Sequence, residues 1–177
     1  MKRGSIKRVA MRVALVGACA ATVECAKLAL AVVPNVEVVT LLLALYGYTF
    51  GVWGILSAVV FVCIEPFIWG FGTWVITYFI YWPLVALVFM LLRRGGVRQT
   101  WLLTLAALIL TLFFGVLSSL IDVGLFTGYY DKFFYRFGIY YLRGILFYMV
   151  QLAANAVAFP ILFKPLYREL SRFGYNL

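Results

Sequence analysis

The sequence predicts an all-α, polytopic membrane protein. It reads as a bundle of six transmembrane helices forming one domain over residues 1–177, with both termini cytoplasmic. Three observations predict this. Of the 177 residues, 66% are hydrophobic and only 12% charged, whereas a soluble domain is nearer half apolar and a quarter charged. The apolar residues fall in runs close to the roughly 20 residues that a membrane-crossing helix needs. Lys and Arg gather in alternate connections, as they do in short cytoplasmic loops.

The first run is Val9–Val33. Basic residues, an apolar stretch and then small residues resemble a secretory signal, but the stretch outlasts the roughly 7–15 residues of a signal core, so it is read as a span. Pro34, Asn35 and Glu37 break the chain before the second run, Val36–Phe50, which Gly51 closes. The third is Val52–Trp69, ended by Gly70-Phe71-Gly72, and the fourth is Thr73–Leu92, stopped by Arg93-Arg94-Gly95-Gly96. The fifth runs from Thr100 to about Phe126, and a wet stretch follows over Thr127–Gly138. The sixth is Ile139–Phe163, ended by Lys164-Pro165.

Lys2, Arg3, Lys7, Arg8 and Arg12, then Arg93, Arg94 and Arg98, then Lys164, Arg168 and Arg172 would share one side of six spans. The opposite loops hold only Lys132 and Arg136. The net charge of +9 is therefore a topology signal and a contact for anionic lipid, not a nucleic-acid surface. Cys19, Cys25 and Cys63 lie inside apolar runs without CxxC spacing and read as small buried hydrophobes. The chain has no histidine, so imidazole metal ligation and Ser/His catalysis are absent. It has no GxxxxGK[ST], HExxH or GxSxG motif, so no P-loop or familiar catalytic set is expected, nor a cofactor in this chain.

Ionisable residues inside spans are costly and are functional candidates by default. Glu24, Lys27, Glu37, Glu65, Asp122 and Arg143 fall at one depth, in the halves facing outward. On a helix of 100° per residue, Tyr140, Arg143, Gln151 and Asn155 share an arc of about 120°. Two readings follow. In one, Glu24 pairs with Lys27 and Arg143 with Asp122 or Glu65, and the charges only hold the bundle together. In the other, the polar groups line a pocket open to the outside. The pocket set is Asn35, Glu37, Glu65, Trp69, Trp74, Tyr78, Tyr140, Arg143, Gln151 and Asn155. Trp69, Phe71, Trp74, Tyr78, Tyr81 and Trp82 serve either as its walls or as an interfacial belt. Tyr129, Tyr130, Phe133, Phe134 and Tyr135 could form an amphipathic lid. Ala10, Ala14 and Ala18, with Gly17 and Ala21 beside them, make a flat strip that permits close helix approach, within the bundle or against another subunit.

Four stretches carry a family resemblance: Pro34-Asn35-Val36-Glu37-Val38-Val39-Thr40-Leu41, Tyr46-Gly47-Tyr48-Thr49-Phe50-Gly51, Glu65-Pro66-Phe67-Ile68-Trp69-Gly70-Phe71-Gly72 and Leu162-Phe163-Lys164-Pro165-Leu166-Tyr167. Together they resemble a substrate-binding S component of the energy-coupling factor (ECF) vitamin transporters, most of all its cobalamin branch. The resemblance implies a non-enzymatic, multi-pass subunit of the bacterial cell membrane that captures cobalamin or a related corrinoid outside. It implies docking on a membrane coupling subunit (the T component) carried by two cytoplasmic ATPase subunits, where ATP would be hydrolysed, and release after toppling in the bilayer. Ala10, Ala14 and Ala18 match the family's docking strip, and the loops after spans one, three and five match its gates. The charged outer halves depart from an apolar rotating body unless Glu24, Lys27 and Glu65 are paired or face a pocket. Other readings are an S component for a smaller vitamin or a queuosine precursor, an assembly subunit of another membrane complex and, third, a membrane enzyme.

Overall fold

The computed structural model describes residues 3–33, 36–126 and 131–174; Asn35, Tyr129 and Tyr130 lie outside the described residues. The described chain is all-helical: α1 (Arg3–Leu30), α2 (Val39–Phe50), α3 (Val52–Trp69), α4 (Trp74–Arg94), α5 (Thr100–Ile121) continued by a π-helical turn (Asp122–Phe126), α6 (Phe133–Arg143) and α7 (Ile145–Gly174). Five of these segments are long and apolar enough to cross a membrane: Ile6–Leu30 of α1, α3, α4, Thr100–Phe126 and Ile145–Arg172 of α7.

The expected second span is different. α2 has 12 residues, about 18 Å at 1.5 Å per residue, short of the roughly 30 Å hydrocarbon core. It does not need that length against lipid, because neighbouring helices cover it. Nine of its residues are buried, from Val39 to Tyr48, and it packs on α4, α3 and α7, with further contacts to α1 and α5. The core is centred here, with Leu43, Ala44 and Leu45 fully enclosed.

Glycine sets how closely the neighbours approach. A Cβ on Gly47 would lie 2.0 Å from the Ala86 carbonyl oxygen of α4, and one on Gly54 would lie 2.2 Å from the Tyr46 carbonyl oxygen. Gly51 makes the reversal into α3 at φ 61°, a region open to glycine and strained for other residues. Phe159 and Phe163 stack, Phe89 packs tilted against both, and Tyr48 donates a hydrogen bond to the Val97 carbonyl at 2.7 Å.

Three further expectations change. The stretch from Thr127 to Gly138 is not all loop, since α6 starts at Phe133. The sixth span does not begin at Ile139: the helix breaks at Gly144 (φ −89°, ψ −2°), and α7 starts after it. Nor does it end at Lys164-Pro165, because α7 runs through Pro160 and Pro165 to Gly174. Each proline removes one backbone donor, but Leu166, Tyr167 and Leu170 pack on the core beyond Pro165 and keep the helix in register.

The small-residue strip of α1 is left uncovered. Ala10, Ala14, Gly17, Ala18 and Ala21 are all exposed, and no atom lies within 4 Å of a Cβ placed on Gly17. Packing among the described residues therefore does not use the strip. Of the cysteines, Cys19 is buried as expected, whereas Cys25 and Cys63 face outward.

Candidate functional site

A cavity of about 410 Å³ opens where the C-terminal ends of α1 and α3 meet the N-terminal ends of α2, α4 and α7. The helices therefore alternate in direction around it. α1 and the connection after it supply Lys27, Leu30, Ala31, Val33, Val36 and Glu37. α3 supplies Phe61, Glu65 and Trp69; α4 supplies Trp74, Tyr78 and Trp82; α7 supplies Phe147 and Gln151.

Helical spacing explains the walls. Trp74, Tyr78 and Trp82 recur every four residues and so share one face of α4. Their rings meet edge to face, with centroids 4.9 Å apart for Trp74–Tyr78 and 5.5 Å for Tyr78–Trp82, the arrangement that aromatic quadrupoles favour. Phe147, Gln151 and Asn155 form the matching four-residue stripe on α7. Trp69 closes α3 beside Gly70 (φ 85°), whose N–H bonds back to the Pro66 carbonyl at 3.0 Å.

Glu37 shows why a carboxylate stands before α2. It accepts hydrogen bonds from the Thr40 backbone N–H at 2.9 Å and the Thr40 hydroxyl at 2.6 Å. It therefore caps α2, where unpaired N–H groups and the helix dipole favour negative charge. Asn155 Nδ2 reaches Glu37 at 3.1 Å and the Thr111 hydroxyl at 3.0 Å. One amide thus ties α7 to the start of α2 and the middle of α5.

Lys27 pairs with Glu65, 38 positions away, and not with Glu24 on its own helix. Glu65 is fully buried, and Lys27 retains some exposure. The Lys27 ammonium stands 5.1 Å from the ring centre of Trp69, 5.4 Å from Tyr78 and 5.9 Å from Phe61, within cation–π range. The Glu24 carboxyl lies beside that of Glu65. Among the described residues, Nε1 of Trp82, in the cavity wall, and Oδ1 of Asn155, next to it in the α7 stripe, are buried without a hydrogen-bond partner. Buried polar groups are normally satisfied, so hydrogen-bonding capacity is left unspent at the cavity and beside it.

Of the ten residues the sequence proposes, Glu37, Glu65, Trp69, Trp74, Tyr78 and Gln151 line the cavity. Asn155 is fully buried and holds Glu37. Asn35 lies outside the described residues. Tyr140 and Arg143 do not line the cavity: both are exposed and on α6. The shared arc assumed one continuous helix, and the break at Gly144 divides it. A Cβ on Gly144 would come within 2.5 Å of the Tyr148 ring, so that ring occupies the inner side of the bend. Phe133, Phe134 and Tyr135 belong to α6, and among the described residues no side chain of α6 lines the cavity.

Beyond those ten, Lys27 and Trp82 also line the cavity; the sequence offered the first as a candidate charge and the second as a candidate wall. Phe61 and Phe147 were not in the proposed set. Phe147 was legible as the four-residue neighbour of Gln151, whereas Phe61 is one aromatic in an apolar run and is brought to the cavity only by the packing of α3. No protein-family model, curated protein or solved structure matches this chain.

Proposed function

We propose that this protein is the substrate-binding subunit of an ECF-type membrane importer, taking a small water-soluble vitamin-like molecule into the cavity between α1, α3, α4 and α7. The observation that carries this is a vitamin-sized, aromatic-walled cavity with buried polar groups left unsatisfied, at the bundle end remote from Arg93, Arg94 and Lys164. In this reading both termini are cytoplasmic, the cavity opens outward, and α2 completes six passes as a short segment shielded by its neighbours.

The exposed strip Ala10, Ala14, Gly17, Ala18 and Ala21 supports a docking role for α1, because small residues allow backbones to approach closely and none of the described residues covers them. A T component with two ATPase subunits would be the partner and the source of energy. The Lys27–Glu65 pair supports movement within the bilayer, since it neutralises two of the three outer-half charges at issue, and Glu24 is buried beside Glu65.

The cavity volume bears on the substrate. About 410 Å³ is at the lower end of the roughly 300–1,000 Å³ of small-molecule sites, which favours a small vitamin over a corrinoid. A corrinoid would require the walls contributed by α1, α3, α4 and α7 to move apart. Thermal-shift screening of the detergent-solubilised chain against water-soluble vitamins, cyanocobalamin included, tests this. Stabilisation by a small vitamin is expected. Stabilisation by cyanocobalamin alone would restore the corrinoid assignment, and no stabilisation by any vitamin would remove the importer reading in favour of an assembly subunit.

A further inference from the structure

Resting on that reading, the cavity also carries information about the charge of its occupant. Glu24, Glu37 and Glu65 bring three carboxyl groups to this end of the bundle. Among the described residues the only cationic side chain lining it is Lys27. Arg143, the other cation that the sequence offered, stands outside on α6. Lys27 is engaged by Glu65 through one oxygen, and the Glu24 carboxyl lies against that of Glu65, so two buried acids share a single ammonium. Glu65 borders the cavity, which places this excess of carboxyl groups beside any occupant.

The walls have matching chemistry. Phe61, Trp69 and Tyr78 already surround one ammonium, that of Lys27, at cation–π distance. Trp74 and Trp82 extend the aromatic surface on the α4 side. Aromatic faces attract cations, and two buried carboxyl groups sharing one cation are relieved by a second. An anionic ligand would meet the opposite field and would have to take Lys27 from Glu65.

We propose that the cavity selects an organic cation carried on a flat apolar ring, with Glu65, backed by Glu24, receiving the charge and Lys27 acting as the internal cation that holds the site until the ligand arrives. On binding, Lys27 yields part of its contact with Glu65. Trp74, Trp82 and Phe147 flank the ring, and Gln151 supplies an orienting hydrogen bond.

The test uses three forms of one ring: 1-methylnicotinamide (cation), nicotinamide (neutral) and nicotinate (anion). Binding is read as quenching of tryptophan fluorescence by the full chain in phosphatidylglycerol nanodiscs. The cation should bind at least tenfold more tightly than the neutral form, and the anion no more tightly than the neutral form. Lys27→Met should raise the affinity for the cation. Glu65→Gln, checked for folding by gel filtration, should erase the preference. Equal binding of all three forms, preference for nicotinate, loss of cation binding in folded Lys27→Met, or no quenching by any form would each overturn the proposal. Weaker binding of the cation in phosphatidylcholine nanodiscs would assign the site to a choline headgroup and overturn a soluble ligand. The vitamin screen separates the two readings: a stabilising vitamin without positive charge refutes the charge assignment and leaves the importer standing.

Discussion

The Glu37–Asn155 contact allows the tightest prediction, because it links three helices through one carboxylate. Glu37→Ala removes three hydrogen bonds: two from Thr40 and one from Asn155 Nδ2. Loss of a helix cap costs about 1 kcal/mol. Leaving a buried donor unmatched costs about 1–3 kcal/mol more. Asn155 keeps Thr111 as the acceptor for one of its two amide hydrogens, so a single donor is left unmatched and the sum is about 2–4 kcal/mol. Glu37→Gln retains an oxygen for Thr40 but can turn an amide donor toward the Asn155 amide, so it should cost about 1 kcal/mol. Asn155→Leu removes the donor from both partners. The double variant Glu37→Gln/Asn155→Leu should then show a coupling of about 0.5–3 kcal/mol, as expected for residues in one network. Thermal or denaturant unfolding followed by tryptophan fluorescence in detergent gives all four corners of the cycle. Additive single effects, or a Glu37→Ala variant as stable as the parent, would refute the assignment of Glu37 as the cap and of Asn155 as its tie.

Gly47→Ala should lower the unfolding midpoint by several degrees, since its Cβ meets backbone at 2.0 Å and overpacking costs about 1–3 kcal/mol. Gly17→Ala, with open space around it, should leave the midpoint unchanged, and equal effects would contradict the packing of α2 on α4. If the importer proposal holds, Ala14→Trp and Ala18→Trp should fold normally and retain ligand binding while losing co-purification with the proposed coupling subunit and uptake. Normal uptake in both would exclude the strip as the docking face. In a Cys-free background, Asp131→Cys should react with an impermeant maleimide from outside and Arg98→Cys only after the membrane is opened; the reverse pattern would invert the topology.

Much of the site was legible because its residues announce themselves locally. Glu65 is costly inside an apolar run, and Trp74 with Tyr78 shows a four-residue stripe in the sequence itself. Gln151 and Asn155 are amides in an otherwise apolar helix. The failures have two causes. Tyr140 and Arg143 were placed by carrying a helical phase across Gly144, and the single break there removed both from the stripe that Phe147, Gln151 and Asn155 keep. The ion pair failed in another way. Glu24 is three residues from Lys27 and a sound local partner by spacing, but α1 packs on α3 and Glu65 takes the ammonium instead.

The sequence by itself determined the membrane class, the long apolar helices and the depth at which polar residues collect. Hydropathy acts residue by residue, and a bilayer sums it along each run whatever the neighbours do. The glycines and arginines at the ends of α3 and α4 are local signals of the same kind. Tertiary structure alone decided that α2 is a short helix enclosed by its neighbours. It also decided that Glu37 caps that helix, that Lys27 answers to Glu65, and that the strip of α1 stays uncovered. These are properties of pairs. Each depends on which two helix faces meet, and a rotation set by one glycine, or a close approach allowed by Gly47, changes the partner without changing the hydropathy of any segment.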